Sequence, residues 1–394
     1  MRLERELAII SLLGLPAKKL FEKFRLPGLL GMLILGVMIG PYGLNILQPN
    51  LMLVSADLRK IALIIILLRA GLGIKKDDLK KVGITSLKMS CIPGLVEGLF
   101  IALISMKLLG FTFTQGGMLG FILAAVSPAV VVPFMIKLMD NNIGMKKGIP
   151  TLILTGSSVD DVFAITIFSA FLGFYSGSDV NIGKQLLNIP ISIILGIIAG
   201  IIIGFLLILF FKKYHIRDTE KVLLILGCSI LLNELENVLQ TKLQIASLLG
   251  VMTIGFIIVE KLPEAGERLS ERFGKVWVIS EILLFVLVGA QVDINVAIKA
   301  GGAGIIIILT GLIGRSIGVL ISLVGTDYSW KEKLFCVIAY TPKATVQAAM
   351  GAVPLAFGVE SGDIMLAIAV LSILITAPLG AVGISFSSNK LLEN

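Results

Sequence analysis

The chain has 394 residues, of which 56% are hydrophobic and only 15% are charged, and its mean hydropathy is +1.00. A soluble core of this size does not need such apolarity, so the composition excludes an ordinary soluble domain and indicates a membrane protein. The formal net charge of +8 does not indicate a nucleic-acid partner, because the basic residues alternate from loop to loop as membrane orientation requires.

Long apolar runs between charged clusters predict about 13 transmembrane helices. The first run is short and contains Pro16. Unbroken apolar runs lack the alternation of a membrane β-barrel, so we predict an all-α polytopic membrane protein. The predicted spans centre near residues 13, 34, 64, 98, 128, 161, 198, 228, 250, 284, 314, 344 and 373.

Basic residues concentrate in alternate loops, as with Lys18 and Lys19 after the first span and Lys75 and Lys76 after the third. The positive-inside rule assigns these loops to the cytoplasm. Because the number of spans is odd, we expect an outside amino terminus and a cytoplasmic carboxyl terminus in a cell membrane, inner or plasma. The start M-R-L-E-R-E lacks a small-residue cleavage site, so we expect no cleaved signal peptide.

The span near residue 128 contains two prolines in the segment S-P-A-V-V-V-P, Ser127 to Pro133. Pro128 and Pro133 each lack a backbone N–H, and proline disfavours helix at the residue before it. We predict a helix broken at mid-membrane, whose freed carbonyls and helix ends carry partial charges that can face an ion. A simple proline kink is the alternative.

The next span, Pro150 to Phe174, carries two adjacent carboxylates, Asp160 and Asp161, near its centre. A charge at bilayer depth costs roughly 3 kcal/mol even on lenient insertion scales. Buried acids beside an interrupted helix are typical of a membrane site for a small cation. Burial through pairing alone, without transport, is the alternative.

The spans near 98, 128 and 161 have counterparts near 314, 344 and 373. The middle member of the second triplet is interrupted at Thr341 and Pro342. Seven spans separate corresponding members, and an odd offset inverts the second triplet. This pattern predicts an inverted repeat with two broken helices that cross near mid-membrane.

The span near residue 198 carries the stripe Gly196, Gly200 and Gly204 and no buried charge, which favours a packing or dimerisation face. We therefore expect two bundles within a single membrane transport domain, 1–394. The core bundle should span about 81–175 and 296–386, the scaffold or dimerisation bundle about 1–74 and 186–260, and a linking helix about 264–293.

Five ionisable residues lie close to the centres of their spans: Glu97, Asp160, Asp161, Arg315 and Lys343. If each base pairs with one acid, one carboxylate is left over. Buried charges persist by pairing, so the leftover carboxylate must bind a cation or a proton. Alternation between these two states is exchange, and the adjacent aspartates should titrate as a coupled pair.

Oxygen atoms supply the predicted ion ligands. Ser157 is four residues before Asp161, on the same helical face, and is better aimed than Ser158. Hard monovalent cations prefer carboxylate, hydroxyl and carbonyl oxygens. The three cysteines lack metal-ligand spacing, so we expect free thiols and no cofactor.

Five segments make the chain similar to the cation–proton antiporter superfamily, in particular its NHA-type sodium/proton exchanger branch, over nearly the whole length. The segments are S-S-V-D-D (157–161), S-P-A-V-V-V-P (127–133), P-G-L-V-E-G (93–98), G-R-S-I-G-V (314–319) and T-P-K-A-T-V-Q-A-A (341–349). The segment at 341–349 is the most specific.

The resemblance implies that Asp161 is the principal carboxylate for Na⁺ or Li⁺, with Asp160 as its partner held by Arg315. It implies that Glu97 and Lys343 brace the broken helices and that Ser157 is a supporting ligand. It also implies a homodimer in the lipid bilayer whose core moves against a scaffold like an elevator.

Electrogenic members with paired aspartates typically carry lysine where this chain has Arg315, so the resemblance leaves the proton stoichiometry open. Potassium-specific members often append a nucleotide-binding domain, so its absence from this sequence favours sodium or lithium.

Two other transport functions remain as alternatives: a K⁺/H⁺ antiporter of the same fold and a passive cation channel. An intramembrane aspartyl protease would need its second aspartate in a G-x-G-D setting, but Gly73 is followed by Ile74. We therefore expect a secondary cation/proton antiporter and no enzyme.

Overall fold

The computed structural model describes residues 3–24, 26–175, 182–214, 216–239 and 245–393. Within these ranges every regular element is an α-helix, and there are 17 of them. In chain order they are α1 (Leu3–Lys23), α2 (Gly28–Ile39), α3 (Pro49–Gly73), α4 (Lys76–Leu109), α5 (Phe113–Leu123), α6 (Pro128–Asp140), α7 (Ile149–Tyr175), α8 (Ile182–Lys213), α9 (Asp218–Leu239), α10 (Ser247–Lys261), α11 (Pro263–Ala290), α12 (Ile294–Lys299), α13 (Gly301–Ser322), α14 (Trp330–Ala339), α15 (Thr345–Met350), α16 (Val353–Ala356) and α17 (Gly362–Leu391).

Seven segments of the described chain are long and apolar enough to cross a membrane. This finding agrees with an all-helical membrane protein, whereas the count of about 13 crossings stays a prediction. Each predicted span centre falls within a helix or beside a break between two helices. The seven segments are Lys76–Leu109, Phe113–Asp140, Ile149–Tyr175, Pro190–Lys213, Pro263–Ala290, Gly301–Ser322 and Gly362–Leu391.

Two of the predicted spans are broken helices. Residues 124–127 separate α5 from α6, and residues 340–344 separate α14 from α15. The first half of each pair begins with the same local device, a capping box at Thr112 for α5 and at Ser329 for α14. A capping box satisfies two backbone N–H groups at the helix start, so each half-helix is stabilised independently of the segment after its break.

Pro133 lies inside α6 rather than at the break, contrary to the sequence-based expectation. The break ends where α6 begins, at Pro128, because the first helical position needs no N–H donor. Further along, Pro133 removes only one backbone hydrogen bond, which a packed membrane helix tolerates.

The helices pack in two groups. In the first, α4 contacts α5, α7 and α13, while α17 contacts α12, α13 and α14. In the second, α11 lies against α2 and α3, and α10 lies against α3 and α8. The groups meet where α6 contacts α3 and where α7 contacts α8.

The glycine stripe of α8 faces α10 of the same chain. A Cβ atom on Gly196 would collide with the carbonyl oxygen of Ala246, and one on Gly200 with that of Gly250. Absence of a side chain lets the two helices approach closely. The stripe is therefore a packing face within the chain rather than a surface left open for a second copy.

We predict that Gly200→Ala lowers the free energy of unfolding. The added Cβ would lie 2.7 Å from the Thr253 Cβ, and such overpacking costs about 1–3 kcal/mol. The matched control is Gly227→Ala on α9, where nothing lies within 4 Å and alanine favours helix. Thermal unfolding in detergent checks both variants, and equal melting temperatures would contradict the close-packing role of Gly200.

Candidate functional site

The two broken helices meet at their breaks. The backbone N–H of Ser127 donates to the carbonyl oxygen of Pro342 at 2.8 Å, and the Ser127 hydroxyl lies 3.4 Å from that of Thr345. In the second break, the Thr341 hydroxyl donates to the carbonyl of Ile338 at 2.8 Å. Four of the five residues predicted at the broken helices are thus at the breaks or begin the following helix, and Pro133 is the exception.

Gln347 ties the second broken helix to the first, a role that the sequence analysis missed. Its side-chain amide donates to the carbonyl oxygens of Ala125 at 2.9 Å and Ile122 at 3.1 Å. These carbonyls have lost their helical partners, and a buried carbonyl without a donor is costly. A polar amide within the apolar motif at 341–349 was the available signal.

Arg315 joins two carboxylates from different helices. Its Nη2 donates to Asp160 Oδ2 at 2.7 Å, and its Nε lies 2.7 Å from Glu97 Oε2 in an ion-pair contact. Nη2 also donates to the carbonyl of Ala124 at the first break. The guanidinium therefore connects α13, α7, α4 and the break, and its charge is fixed.

Lys343 lies in the second break and forms the other buried pair. Its Nζ donates to Glu97 Oε2 at 2.6 Å, and its backbone N–H donates to the Thr376 hydroxyl at 2.9 Å. Glu97 is therefore held by both bases, while the backbone N–H of Val126 donates to Asp160 at 2.8 Å. These contacts agree with a bracing geometry.

Asp161 forms no ion pair with any described residue, and its Oδ1 has no hydrogen-bond partner there. It is 8% exposed, whereas the four other charged groups are each 2% exposed or less. The five groups sum to one negative charge when all are ionised. Because an unpaired buried charge is strongly unfavourable, Asp161 needs a proton or a cation.

Asp161 opens onto a cavity of ≈ 220 Å³ between α7 and the helices α3, α8, α9 and α10. Such a volume has room for several water molecules beside the carboxylate. The lining includes Asp161 and Ser158 on one side and Lys60, Asn233 and Glu236 on the other.

Ser158 rather than Ser157 lines this cavity. The Ser157 side chain is fully buried, and its hydroxyl donates to the carbonyl of Leu154 at 3.2 Å. Ser158 donates to the same carbonyl at 2.8 Å, which leaves its oxygen lone pairs available on the cavity side. The spacing of four residues had indicated Ser157, but packing around α7 decides which hydroxyl reaches the open space.

Tyr340 is a further site residue that the sequence analysis missed. Its ring centroid lies 5.6 Å from Arg315 Cζ, within cation–π range. The ring is fully buried, and its hydroxyl has no hydrogen-bond partner in the described part of the chain. A tyrosine at the end of an apolar run carries no separate sequence signal, so only the fold reveals the contact.

No group of three or more His, Cys, Asp or Glu side chains that could hold a metal ion occurs among the described residues. The buried atoms near the breaks that lack a hydrogen-bond partner in the described part of the chain are single oxygens on Asp160, Asp161, Tyr340 and Gln347 and two guanidinium nitrogens of Arg315, Nη1 and Nε. Of these, Nε is in the ion-pair contact with Glu97. An isolated carboxylate that shares a cavity with a serine hydroxyl suits a hard monovalent cation.

A sequence model described as the transmembrane region of sodium/hydrogen exchangers matches residues 7–389. The chain is 34% identical over 389 residues to human sodium/hydrogen exchanger 9B2, covering 93% of this chain and 70% of that protein. It is 35% identical over 413 residues to the 9B2 exchanger of Xenopus tropicalis, covering 98% and 72%. Human exchanger 9B1 is 34% identical over 386 residues, with 93% and 73% covered.

The fold is also similar to a solved structure, the sodium proton antiporter MjNhaP1 from Methanocaldococcus jannaschii. The TM-score is 0.79, with 99% of this chain and 98% of that chain covered. Sequence identity is 21%, so this likeness concerns the fold alone.

We predict that Lys343→Ala lowers stability. The substitution leaves the buried Glu97 carboxylate with Arg315 alone, and loss of one partner of a buried pair costs about 3–5 kcal/mol. The control is Lys331→Ala, because Lys331 is exposed on α14. Thermal unfolding of the purified proteins compares them, and an unchanged melting temperature for Lys343→Ala would contradict the bracing role.

Proposed function

The chain belongs to the sodium/hydrogen exchanger family, and we propose that its exchange of sodium for protons takes place at Asp161. The observation that carries this assignment is the charge balance of the buried cluster. Arg315 pairs with Glu97 and Asp160, Lys343 pairs with Glu97, and of the five buried charged residues described Asp161 alone is unpaired, beside a cavity.

Proton and cation compete for the same carboxylate oxygens. Either ligand removes the net negative charge of the cluster, whereas the empty carboxylate leaves it uncompensated in low dielectric. A penalty of about 3 kcal/mol for moving the empty site would disfavour that state more than 100-fold. This penalty supports coupling of sodium movement to proton movement. A binding site that crosses the membrane only with a ligand bound must return with the other ligand.

The remaining charges form a fixed frame. Arg315 does not release its proton, and it holds Asp160 beside Asp161 while Glu97 and Lys343 brace the breaks. Ser158 is the supporting ligand in the cavity, with Ser157 as the alternative hydroxyl. In this assignment Na⁺ or Li⁺ is the transported substrate, and no cofactor takes part.

Alternating access is the second element of the proposal. The cavity at Asp161 lies where α7 meets α8–α10, at the end where α7 and α9 finish and α8 and α10 begin. The Arg69–Asp140 ion pair, with Nη2 to Oδ2 at 3.0 Å, joins α3 to the end of α6. The core and the scaffold are thus separated by a cavity at Asp161 and joined by an ion pair at Arg69 and Asp140. Both features support movement of the core bundle, 81–175 and 296–386, against the scaffold.

The movement is proposed to occur in a homodimer in a cell membrane, with the carboxyl terminus in the cytoplasm. Support comes from α8, whose stripe packs on α10 while its opposite face leaves Ile194, Ile198 and Ile202 exposed. An apolar helix face of this kind suits lipid or a partner subunit.

We predict that Asp161→Asn abolishes exchange in proteoliposomes while leaving a folded protein. The amide keeps the size of the side chain but carries no charge, so it neither needs nor exchanges a proton. A dye that reports internal pH measures proton efflux driven by sodium, lithium or potassium. The control is Asp363→Asn, an exposed carboxylate at the start of α17, which should exchange normally.

Robust sodium/proton exchange by Asp161→Asn would remove Asp161 from the site. Activity of the unaltered protein with potassium but not sodium would replace the assignment with a K⁺/H⁺ antiporter of the same fold. Dissipation of a proton gradient without an opposing cation would identify a passive channel.

We predict exchange of one cation for one proton, because the cluster has a single uncompensated charge. Such a cycle moves no net charge, so the rate should not change when a membrane voltage is imposed with potassium and valinomycin. The measurement compares initial rates at two voltages of opposite sign. A voltage-dependent rate would mean that Lys343 or Asp160 releases a second proton during the cycle.

A further inference from the structure

We propose a second cation site, formed by Glu236, Asn233 and Ser247, on the access route to Asp161. A cation that arrives there replaces the Lys60 ammonium as the counter-charge of Glu236. This inference rests on the proposed function, since the route leads to the exchange carboxylate. All five residues line the same cavity.

Three side-chain oxygens converge at the proposed site. The Ser247 hydroxyl lies 3.2 Å from Asn233 Oδ1 and also contacts Glu236 Oε2 as a donor. A hydroxyl has one hydrogen, so it satisfies only one of these two acceptors at a time. Glu236 also accepts a hydrogen bond from the backbone N–H of Ser247. Carboxylate, amide and hydroxyl oxygens keep further lone pairs beyond these bonds, and a hard cation accepts lone pairs from all three oxygens.

Local structure explains the convergence. Asn233 and Glu236 are three residues apart on α9, which places both on one helix face. Ser247 is the first residue of α10, and the preceding Ala246 N–H donates to the carbonyl of Ser192 on α8 at 3.0 Å. That bond anchors the start of α10, so the Ser247 hydroxyl is held against α9.

Lys60 supplies the compensating charge. It lines the cavity from α3, and its ammonium interacts electrostatically with the Glu236 carboxylate. The ionisable side chains of the described lining are Lys60, Glu236 and Asp161, which sum to one negative charge when ionised. A partly enclosed cavity of that sign concentrates cations.

The site would act as a waiting position. At this site a cation exchanges some of its water ligands for the carboxylate, amide and hydroxyl oxygens of Glu236, Asn233 and Ser247. It is therefore already partly dehydrated when it reaches Asp161. Two sites in one cavity also allow an arriving ion to repel the bound one, as in multi-ion pores. Lys60 keeps the empty site neutral and disfavours the occupied one, so it limits how tightly the cation is held.

The test is the apparent KM for sodium, measured in proteoliposomes from the side on which this cavity opens. Glu236→Gln should raise that KM about tenfold, since loss of a charged ligand typically costs about 1.4 kcal/mol or more, and should reduce the maximal rate much less. Lys60→Met should lower the KM several-fold. The control is Glu234→Gln, an equal change of charge on an exposed residue of α9, which should leave the KM unaltered.

A purely structural Glu236 that only ties α9 to α10 would give a lower melting temperature without these opposite shifts in KM. If Glu236→Gln does not fold, Lys60→Met decides, and an unchanged or raised KM in that variant overturns the inference. A second readout is binding of radioactive sodium to Asp161→Asn, which should persist weakly and vanish when Glu236→Gln is added.

The two proposals fail in different ways. Exchange that survives Asp161→Asn would defeat the assignment of the exchange site, whatever the behaviour of Glu236. Loss of exchange in Asp161→Asn together with an unaltered KM in Glu236→Gln and Lys60→Met would defeat only the second site.

Discussion

Arg315 reaches Asp160 and Glu97 at 2.7 Å in a region closed to water, and Lys343 holds Glu97 from the opposite break. Removal of Arg315 would leave Asp160 without a base, and removal of Lys343 or Asp160 would leave Glu97 or Arg315 with a single partner, so each charge of the frame depends on the others. Among the five buried charged residues of the described structure, Asp161 is left as the carboxylate without a base. The broken helices serve the same end, because their freed backbone groups are satisfied by Ser127, Gln347 and Arg315 rather than by helical partners.

Exchange, in the proposed function, is a consequence of this charge deficit rather than of a dedicated catalytic group. A carboxylate that is stable only when loaded couples two ion movements, since the empty state is the one that low dielectric penalises. The proposed movement of the core requires that contacts between the two helix groups be replaceable. Between the two groups, the cavity at Asp161 has room for several water molecules. The ion pair of Arg69 and Asp140 lies towards the surface, where water can replace the contact.

Several site residues were predictable because apolar surroundings make a charge conspicuous. Glu97, Asp160, Asp161, Arg315 and Lys343 stand out in runs that contain few other charges, and the count of acids over bases needs no coordinates. Pro133 and Ser157 show where this reasoning ends. Proline marks a possible break, but Pro128 begins a helix that tolerates Pro133, and helical spacing aligns Ser157 with Asp161 without revealing that Ser158 faces the cavity.

The sequence by itself determined the helical class, the family and the surplus buried carboxylate, because hydropathy and charge are properties of each residue and its neighbours along the chain. Tertiary structure alone decided which acid each base takes, that Tyr340 and Gln347 join the site, and that the α8 glycines pack on α10. It also decided that Glu236, Asn233 and Lys60 share a cavity with Asp161. These outcomes depend on how helices far apart in sequence rotate and approach one another, and the rotation of each helix is set by the packing of all its neighbours at once.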